Sequence, residues 1–285
     1  DVKVEFTDLD ECKYTGRTVR PRTFKATLNG NDVTSQFEIV SYGENINGTG
    51  TVVLRPVDGN KNFTGDNITV EFEIIKEVVS GTIDLYNSNG EKITSDYAIA
   101  DPNATITNFN LSSFEFDGTE KTFAEEILSL TGDTKATVDD FEIKYIDNIS
   151  GAASNISNGR DKYNIAYVYA VAKEGTGYTG EDQIVTADGT IIKGVVAKIP
   201  FAIKNVRFND QNVSVKNATY AGGLPVKPDV LVQIKGVTLV EGKDYELQLS
   251  GAAAGENYNN VTDGAVYSVK VVGIGGYIGS SATAK

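Results

Sequence analysis

Carboxylates are the side chains with which this chain could most readily do chemistry, because they act as acid–base groups and as calcium ligands. The sequence holds 39 Asp and Glu against 26 Lys and Arg, and its formal net charge is −13. The densest acidic clusters are Asp8-Leu9-Asp10-Glu11, Asp58-Gly59-Asn60 and Asp139-Asp140. None has the ligand spacing of an EF-hand loop, and turn carboxylates commonly cap neighbouring amides. We expect solvated turns at these clusters, with calcium binding as the alternative.

Catalysis is disfavoured by the residue types that the sequence lacks. It contains no His, and therefore neither the commonest general base nor the commonest transition-metal ligand. The serines have no His partner, and no Gly-x-Ser-x-Gly motif occurs. The single Cys12 is expected to be an inert, partly buried thiol, with intermolecular pairing as the alternative. We predict a protein that is not an enzyme, with no catalytic, cofactor-binding or metal-ligating residue.

The net acidity also limits the partners. No basic patch is visible in the sequence, so nucleic acid and anionic membrane surfaces are poor partners. No stretch approaches the roughly 18 apolar residues of a membrane span. The chain begins with Asp1 rather than Met, which leads us to expect a processed protein or a segment of a longer one.

Two short motifs recur three times in the same order, and such a repeat indicates the overall architecture. The first motif is an aromatic residue, one further residue and Gly, at Tyr14-Thr15-Gly16, Phe116-Asp117-Gly118 and Tyr220-Ala221-Gly222. The second is a Gly-rich turn that ends in the same spacing, at Phe63-Thr64-Gly65, Tyr178-Thr179-Gly180 and Tyr277-Ile278-Gly279. The recurrence predicts three similar small domains.

The aromatic residues of these motifs have two possible roles. Their ring faces could stack on sugars, or the rings could pack over turns whose backbone requires glycine. The residues concerned are Tyr14, Phe63, Phe116, Tyr178, Tyr220 and Tyr277. Because they recur at a fixed place in each repeat, we favour the packing role.

Strands must position these motifs. Val, Ile, Thr and Tyr are plentiful and Gly occurs 29 times, a composition typical of pleated strands joined by tight turns. Alternation of polar and apolar residues predicts strands at 2–6 and 68–74, and an opening strand of the third repeat at 205–208. Pro200 cannot donate to a ladder, so its strand is expected at a sheet edge, or with the proline on the solvent side. The best helical candidate is short, at Phe123–Leu128.

The repeats divide the chain into four segments. They are a first repeat at 1–76, an inserted hairpin or linker at 77–104, a diverged second repeat at 105–204 and a third repeat at 205–285. The insert has a hairpin pattern, with a strand at 82–86 followed by a Gly-bearing turn.

The third repeat lacks the closing strand that its pattern requires. The first two repeats end in Phe72-Glu73-Ile74 and Phe201-Ala202-Ile203, whereas residues 280–285 have no Phe-x-Ile. A sandwich without this strand exposes an open edge. We expect the chain to continue, or another subunit to supply the strand by β-augmentation, or a short final strand to complete the unit.

These motifs resemble a family of bacterial immunoglobulin-like surface repeats. That pattern has a Tyr-Thr-Gly followed by Pro, a Leu-x-x-Gly-x-Asp-Tyr step and a Gly-Asn-Tyr-x-Gly turn. The third repeat is most similar, through Leu239–Tyr245 and Gly276–Gly279, and the second departs most. The resemblance implies an all-β fold of three tandem immunoglobulin-like β-sandwich domains in an elongated array, and no catalytic residues.

The same resemblance implies a non-enzymatic, extracellular structural or adhesive protein, a rod on a bacterial surface or in a surface assembly. Its partners would be other protein subunits, surface components or glycans, with β-augmentation at the third repeat. The alternatives are a virion decoration protein of a phage head or tail, a carbohydrate-binding module, and an accessory region of an enzyme.

Overall fold

β-Strands are the main regular secondary structure of the protein. The computed structural model describes residues 1–93, 114–158, 161–217, 219, 228–250 and 268–284. In these residues the helices are short 3-10 helices, at Leu9–Cys12, Thr34–Gln36, Val138–Asp140, Asp210–Asn212 and Gly275–Tyr277. No helix in the same residues is long and apolar enough to cross a membrane. The prediction of an all-β fold of sandwich type is confirmed.

The first group of strands, unit 1, forms two antiparallel sheets that pack face to face. Its strands are β1 Lys3–Phe6, β2 Phe24–Leu28, β3 Asn31–Asp32, β4 Phe37–Tyr42, β5 Thr49–Pro56 and β6 Ile68–Glu73. The sheet orders are β1-β2-β3 and β4-β5-β6. Val52, Leu54 and Phe72 form a buried cluster, and the ring of Phe6 from the first sheet lies 5.2 Å from that of Phe72. Unit 1 therefore has its own core.

The second group, unit 2, contains the longest strands. They are β7 Glu77–Val78, β8 Ser80–Tyr86, β9 Phe114–Glu115, β10 Glu125–Thr131, β11 Phe141–Ile146, β12 Ser157–Asn158, β13 Asp161–Ala172, β14 Tyr178–Thr179, β15 Asp182–Val185 and β16 Ile191–Lys204. β8 pairs with β10, and the larger sheet has the order β11-β13-β16-β15. Val168 and Phe201 of the larger sheet and Ile83 and Leu128 of the smaller one belong to one buried cluster. The two sheets thus enclose a second core.

The segment 77–104, expected as an inserted hairpin or linker, contributes a core strand to unit 2. β8 pairs with β10 over all seven of its residues. Ile83 and Leu85 are each 3% exposed, because they alternate along the strand and face inward. The hairpin turn is present, since the N–H of Ile93 donates to the carbonyl of Leu85 at 2.7 Å. Residues 94–104 lie outside the described part of the chain.

The short helix expected at Phe123–Leu128 is wrong. Residues from Glu125 onward form β10, in which Leu128 is buried and Ile127 is exposed. This alternation has the two-residue period of a strand, and pairing with β8 along the whole strand outweighs a weak local helical preference.

Pro200 lies within β16, which is an edge strand only locally. β16 runs between β13 and β15. Its pairing with β15 stops at Val195, and its parallel pairing with β9 begins at Ile203. Pro200 sits opposite Tyr167 of β13, inside that gap. The proline therefore occupies the stretch where the far side of the strand has no ladder partner among the described strands.

The third group, unit 3, repeats the plan of unit 1. Its strands are β17 Val213–Val215, β18 Val230–Ile234, β19 Val237–Thr238, β20 Tyr245–Ser250, β21 Ser268–Gly273 and β22 Ser281–Ala284. The sheet orders are β17-β18-β19 and β20-β21-β22. The opening strand expected at 205–208 is wrong, because β17 takes that place. Asn205 and Phe208 are instead buried in the connection between units 2 and 3. The Nδ2 group of Asn205 donates to Asn164 of unit 2, and the ring of Phe208 lies 6.3 Å from that of Tyr277 of unit 3.

Unit 3 has a closing strand of its own, so the expectation that this strand is missing is wrong and the alternative of a short final strand is confirmed. β22 pairs antiparallel with four residues of β21, and Ala282 is 3% exposed in the core. Small side chains form this strand, and a search for Phe-x-Ile therefore misses it.

The three units share one order of strands. An opening strand pairs with the next long strand, as β1 with β2, β8 with β10 and β17 with β18. The second sheets correspond as β4-β5-β6, β11-β13-β16 and β20-β21-β22. The Gly-rich turn motif follows β5, β13 and β21, which is an equivalent place in each unit.

Leu54 tests whether unit 1 depends on its own core. We expect Leu54→Ala, at a side chain with 0% exposure, to lower the free energy of unfolding of unit 1 by about 2–5 kcal/mol, because it removes buried methyl groups and leaves a cavity. Leu9→Ala, at a side chain that is 62% exposed, should change it by less than about 0.5 kcal/mol. Urea unfolding followed by circular dichroism measures both, and equal effects would contradict the described core.

Candidate functional site

The repeated aromatic residues meet in pairs across the boundaries between units. Tyr14 of unit 1 packs edge-on against Tyr178 of unit 2, with ring centroids 5.1 Å apart and an interplanar angle of 80°. Phe116 of unit 2 packs against Tyr277 of unit 3 at 5.1 Å and 83°. We call these boundaries junction 1 and junction 2. Each joins the first motif of one unit to the second motif of the next.

A glycine lies directly under the incoming ring at both junctions. A β-carbon at Gly177 would lie 2.1 Å from Cδ2 of Tyr14, and one at Gly276 would lie 2.4 Å from Cδ2 of Phe116. Carbon atoms in contact stand about 3.5–4.0 Å apart, so neither position has room for any side chain. Here glycine is required for close approach and not for its backbone freedom.

The segments that connect the units, residues 75–79 and 204–208, add hydrogen bonds to the same turns. At junction 1 the N–H of Glu77 donates to the carbonyl of Gly177 at 2.8 Å, and β7 runs parallel to β14. At junction 2 the N–H of Val206 donates to the carbonyl of Gly276 at 3.0 Å. The N–H of Phe208 then donates to the hydroxyl of Ser280 at 3.1 Å. Each connection is therefore docked along the next unit.

The same connections are held from the other side by the preceding unit. The N–H of Tyr14 donates to the carbonyl of Ile75 at 2.8 Å, and that of Phe116 donates to the carbonyl of Lys204 at 2.9 Å. Both contacts continue a short parallel pairing, Lys13 with Ile75 and β9 with β16. The two connections thus lie between both of their neighbours and leave little freedom for the units to turn.

Asparagine side chains supply the polar contacts of both junctions. Asn47 of unit 1 donates to the carbonyl of Gly175. Asn164, which is 1% exposed, donates to the carbonyl of Gly275 at 3.2 Å and accepts from the Nδ2 group of Asn205 at 3.1 Å. The buried Oδ1 of Asn205 has no hydrogen-bond partner in the described residues. Junction 2 therefore buries more polar groups than junction 1.

Burial changes the acidity of the turn tyrosines. It raises the pKa of Tyr178 to about 12, and it also raises the pKa of Tyr277, with a smaller contribution from the charge of Asp244. An ionised phenolate cannot keep its hydration between two units. Both hydroxyls therefore stay protonated well above neutral pH.

The turn of unit 1 differs from the other two. Asn62 precedes Phe63, where Gly177 and Gly276 precede their tyrosines. The ring of Phe63 lies 5.0 Å from that of Phe37 in the same unit. Asn60 fills the turn, since its Oδ1 accepts the N–H groups of residues 62 and 63 at 2.9 and 3.0 Å. This turn is closed by its own side chains.

The packing role of the motif aromatics agrees with these positions. Tyr178, Tyr277 and Phe116 are 5%, 7% and 9% exposed, and Tyr14 and Phe63 are partly buried. The three buried rings present no free face of the kind that sugar stacking requires. Four of the five residues, Tyr14, Tyr178, Phe116 and Tyr277, pack between neighbouring units, whereas Phe63 packs against Phe37 within unit 1. Tyr220 lies outside the described residues.

The side chains of the acidic clusters make local contacts within their own turns. Asp8 accepts the N–H of Asp10 at 3.0 Å, and Asp140 completes a capping box with Thr137. Asp58 lies 3.7 Å from Arg55. In the part of the chain that the structure describes, no three acidic or thiol side chains come together as a metal site.

Sequence reasoning missed Gly177, Gly276 and the two connections as the residues that join the units. One indication was available in the sequence. Copies two and three of the second motif have Gly immediately before the aromatic residue, and copy one has Asn62.

Comparison of the chain with protein-family models, with curated proteins and with solved structures found no match. The function must therefore be inferred from the geometry of the junctions.

A double-mutant cycle tests the contact between ring and glycine. We expect Gly177→Ala to lower the free energy of unfolding by about 1–3 kcal/mol, because the new methyl group overlaps the ring of Tyr14. In a Tyr14→Ala background the cost should fall by about 1 kcal/mol or more. Urea unfolding of the four proteins gives the coupling. Gly65→Ala is the matched control, since a β-carbon there meets nothing within 4 Å, and equal costs in both backgrounds would refute the contact.

The acidity of Tyr178 predicts how stability depends on pH. The folded chain holds this proton to about pH 12, whereas an unfolded chain releases it near pH 10. The contribution of Tyr178 is complete below about pH 10 and is lost as the pH rises toward 12. We expect Tyr178→Phe to lose less thermal stability than the parent over this range, measured by circular dichroism. Tyr86→Phe, outside the junctions, should behave as the parent, and a parallel decline in Tyr178→Phe would contradict the prediction.

Proposed function

We propose that the chain is a non-enzymatic structural protein of the bacterial cell surface or of a surface assembly. In this proposal three immunoglobulin-like domains form a stiff, elongated rod that holds an adhesive or structural element at a fixed distance. The observation that carries it is the recurrence of one junction geometry, with an aromatic ring on a bare glycine and a hydrogen-bonded connection.

Fixed junctions support a spacer role because they oppose the usual behaviour of tandem domains. Domains joined in one chain generally move relative to one another unless their interface is large and apolar. Here each connection donates to the following turn while its own carbonyl accepts from the preceding unit. Rotation at a junction would break both ladders and lift the ring from the glycine. A rod of this kind transmits position along its length.

The burial of the ring faces also bears on the alternative of a carbohydrate-binding module. Tyr178, Tyr277 and Phe116 are covered by the neighbouring unit. Sugar stacking needs an open ring face, and these three rings do not offer one. The spacer role uses these same residues, and we therefore prefer it.

Small-angle X-ray scattering tests the proposal. We expect the parent chain to give the pair-distance distribution of one rigid, elongated body, and Gly177→Val or Gly276→Val to give a broader ensemble, since a larger side chain displaces the ring above it. Gly65→Ala is the control and should scatter as the parent. A parent chain that already scatters as freely jointed domains would refute the rod.

A further inference from the structure

The basic residues of unit 1 are concentrated in one short segment. Residues 12–31 contain five Lys or Arg and no Asp or Glu. Three of the six arginines in the chain, Arg17, Arg20 and Arg22, lie there, whereas residues 77–204 hold 20 acidic and 10 basic residues. The net charge of −13 hides this separation, and the expectation that the chain has no basic patch does not hold for this segment.

The segment directs its arginines to solvent. Val19 and Pro21 are buried in the core of unit 1, and Arg20 and Arg22 alternate with them and are exposed. Two residues apart along an extended backbone, the two arginines leave the same side about 6–7 Å from each other. Arg17 is exposed at the start of the same segment.

The backbone under the arginines is anchored on both sides. The N–H of Val19 donates to the carbonyl of Asn45 at 2.8 Å, and the Nδ2 group of Asn45 donates back to Val19 at 3.1 Å. The hydroxyl of Tyr42 donates to the carbonyl of Pro21 at 3.1 Å. At the far end the carboxylate of Glu11 accepts two backbone N–H groups, at 2.6 and 2.7 Å. The arginines are thus displayed on a fixed backbone.

The guanidinium groups form no ion pair in the described residues, although that of Arg22 interacts with the carboxylate of Glu11. Backbone hydrogen bonds from residues 22 and 23, with a smaller contribution from the charge of Arg22, lower the pKa of Glu11. Eight lysines and Arg55 form ion pairs in the described residues, and Arg17, Arg20 and Arg22 form none there. Arg20 instead lies over the ring of Tyr42, with its Cζ atom 5.9 Å from the centroid. Three exposed arginines without an ion pair thus lie within six residues, and Arg22 alone among them has the Glu11 carboxylate nearby. Their side chains are available for an external anion.

We propose that Arg17, Arg20 and Arg22, the arginine ridge, bind a linear phosphate polymer. The planar guanidinium fork matches phosphate oxygens in a bidentate manner, and it is less strongly hydrated than an ammonium group. A linear polymer can contact several forks at once, so that each contact adds to the next. The acidic excess of unit 2 repels the same polymer. This inference does not rest on the proposed rod.

Binding of long-chain inorganic polyphosphate to the full chain, measured by isothermal titration calorimetry, tests the ridge. We expect the triple variant Arg17→Gln, Arg20→Gln, Arg22→Gln to lose affinity by about tenfold or more, as three exposed charge contacts of a few-fold each would give. The matched control removes the same charge from exposed positions elsewhere, by Lys3→Gln, Lys61→Gln and Lys193→Gln. Its affinity should stay within about twofold of the parent.

Two further measurements separate specific from general charge effects. Replacement of the three arginines by lysine keeps the charge and removes the fork, and we expect an intermediate loss of affinity. The logarithm of the binding constant should fall linearly with the logarithm of the salt concentration, with a slope of roughly −2 for three contacts. In the glutamine variant this slope should be close to zero.

Three results would overturn the proposal. They are equal losses in the ridge and control variants, full affinity in the lysine variant, and tighter binding of polyglutamate, heparin or single-stranded DNA than of polyphosphate. Thermal melting by circular dichroism accompanies each variant. Because the substituted side chains are exposed, a melting temperature equal to that of the parent is expected and assigns the loss to binding.

Discussion

The contact of an aromatic ring with a bare glycine Cα is the constraint on which the arrangement of the units depends. At Gly177 and Gly276 the ring of the preceding unit occupies the volume that any β-carbon would need. Only at that distance can the connections at residues 77 and 206 reach the carbonyls of the same glycines. The absence of a side chain at this glycine therefore permits both the apolar contact and the hydrogen bonds. A side chain there would disrupt both at once.

The two junctions differ in how their aromatic residues connect to the cores of the neighbouring units. At junction 2, Phe116, Tyr277 and Phe208 belong to one buried cluster that runs from unit 2 into unit 3. The core of unit 1 is a separate cluster, and the partly buried Tyr14 packs against both it and the larger one. Junction 2 also buries Asn164 and Asn205, and an acceptor without a partner costs about 1–3 kcal/mol. This cost falls at the junction whose aromatic residues belong to one continuous buried cluster.

The sequence predicted strands well and the joining of the units poorly. Strict alternation correctly located β1 and β6, because burial of one sheet face imposes a period of two. The same rule would have identified β10, but a run of Glu, Ile and Leu also suits a helix, and only pairing with β8 decides between them. β22 was missed because alanines can fill a core row beside large neighbours. The short aromatic–glycine motifs are easy to locate in the sequence. The residues that they contact, however, lie in the next unit.

The recurrence of the motifs therefore indicated that their aromatic residues pack against glycine-containing turns. It did not indicate which turns. Tyr14 and Phe116 were expected to pack over turns, and they do pack against Gly-containing turns. The spacing within each motif could not show that the turn belongs to another unit, about 160 residues along the chain in both cases. A contact this distant in sequence is fixed by the completed sandwiches and not by local preference.

Asn62 sets the turn of unit 1 apart from the turns of units 2 and 3. A unit that makes this contact on both sides must offer an aromatic ring on one side and a bare glycine on the other, as unit 2 does with Phe116 and Gly177. The turn of unit 1 has a side chain where the others have none, and Asn60 holds it closed. A ring could not settle on Asn62 as Tyr14 settles on Gly177. Unit 1 therefore lacks the bare glycine that receives an aromatic ring at both junctions, and its turn is filled from within the unit.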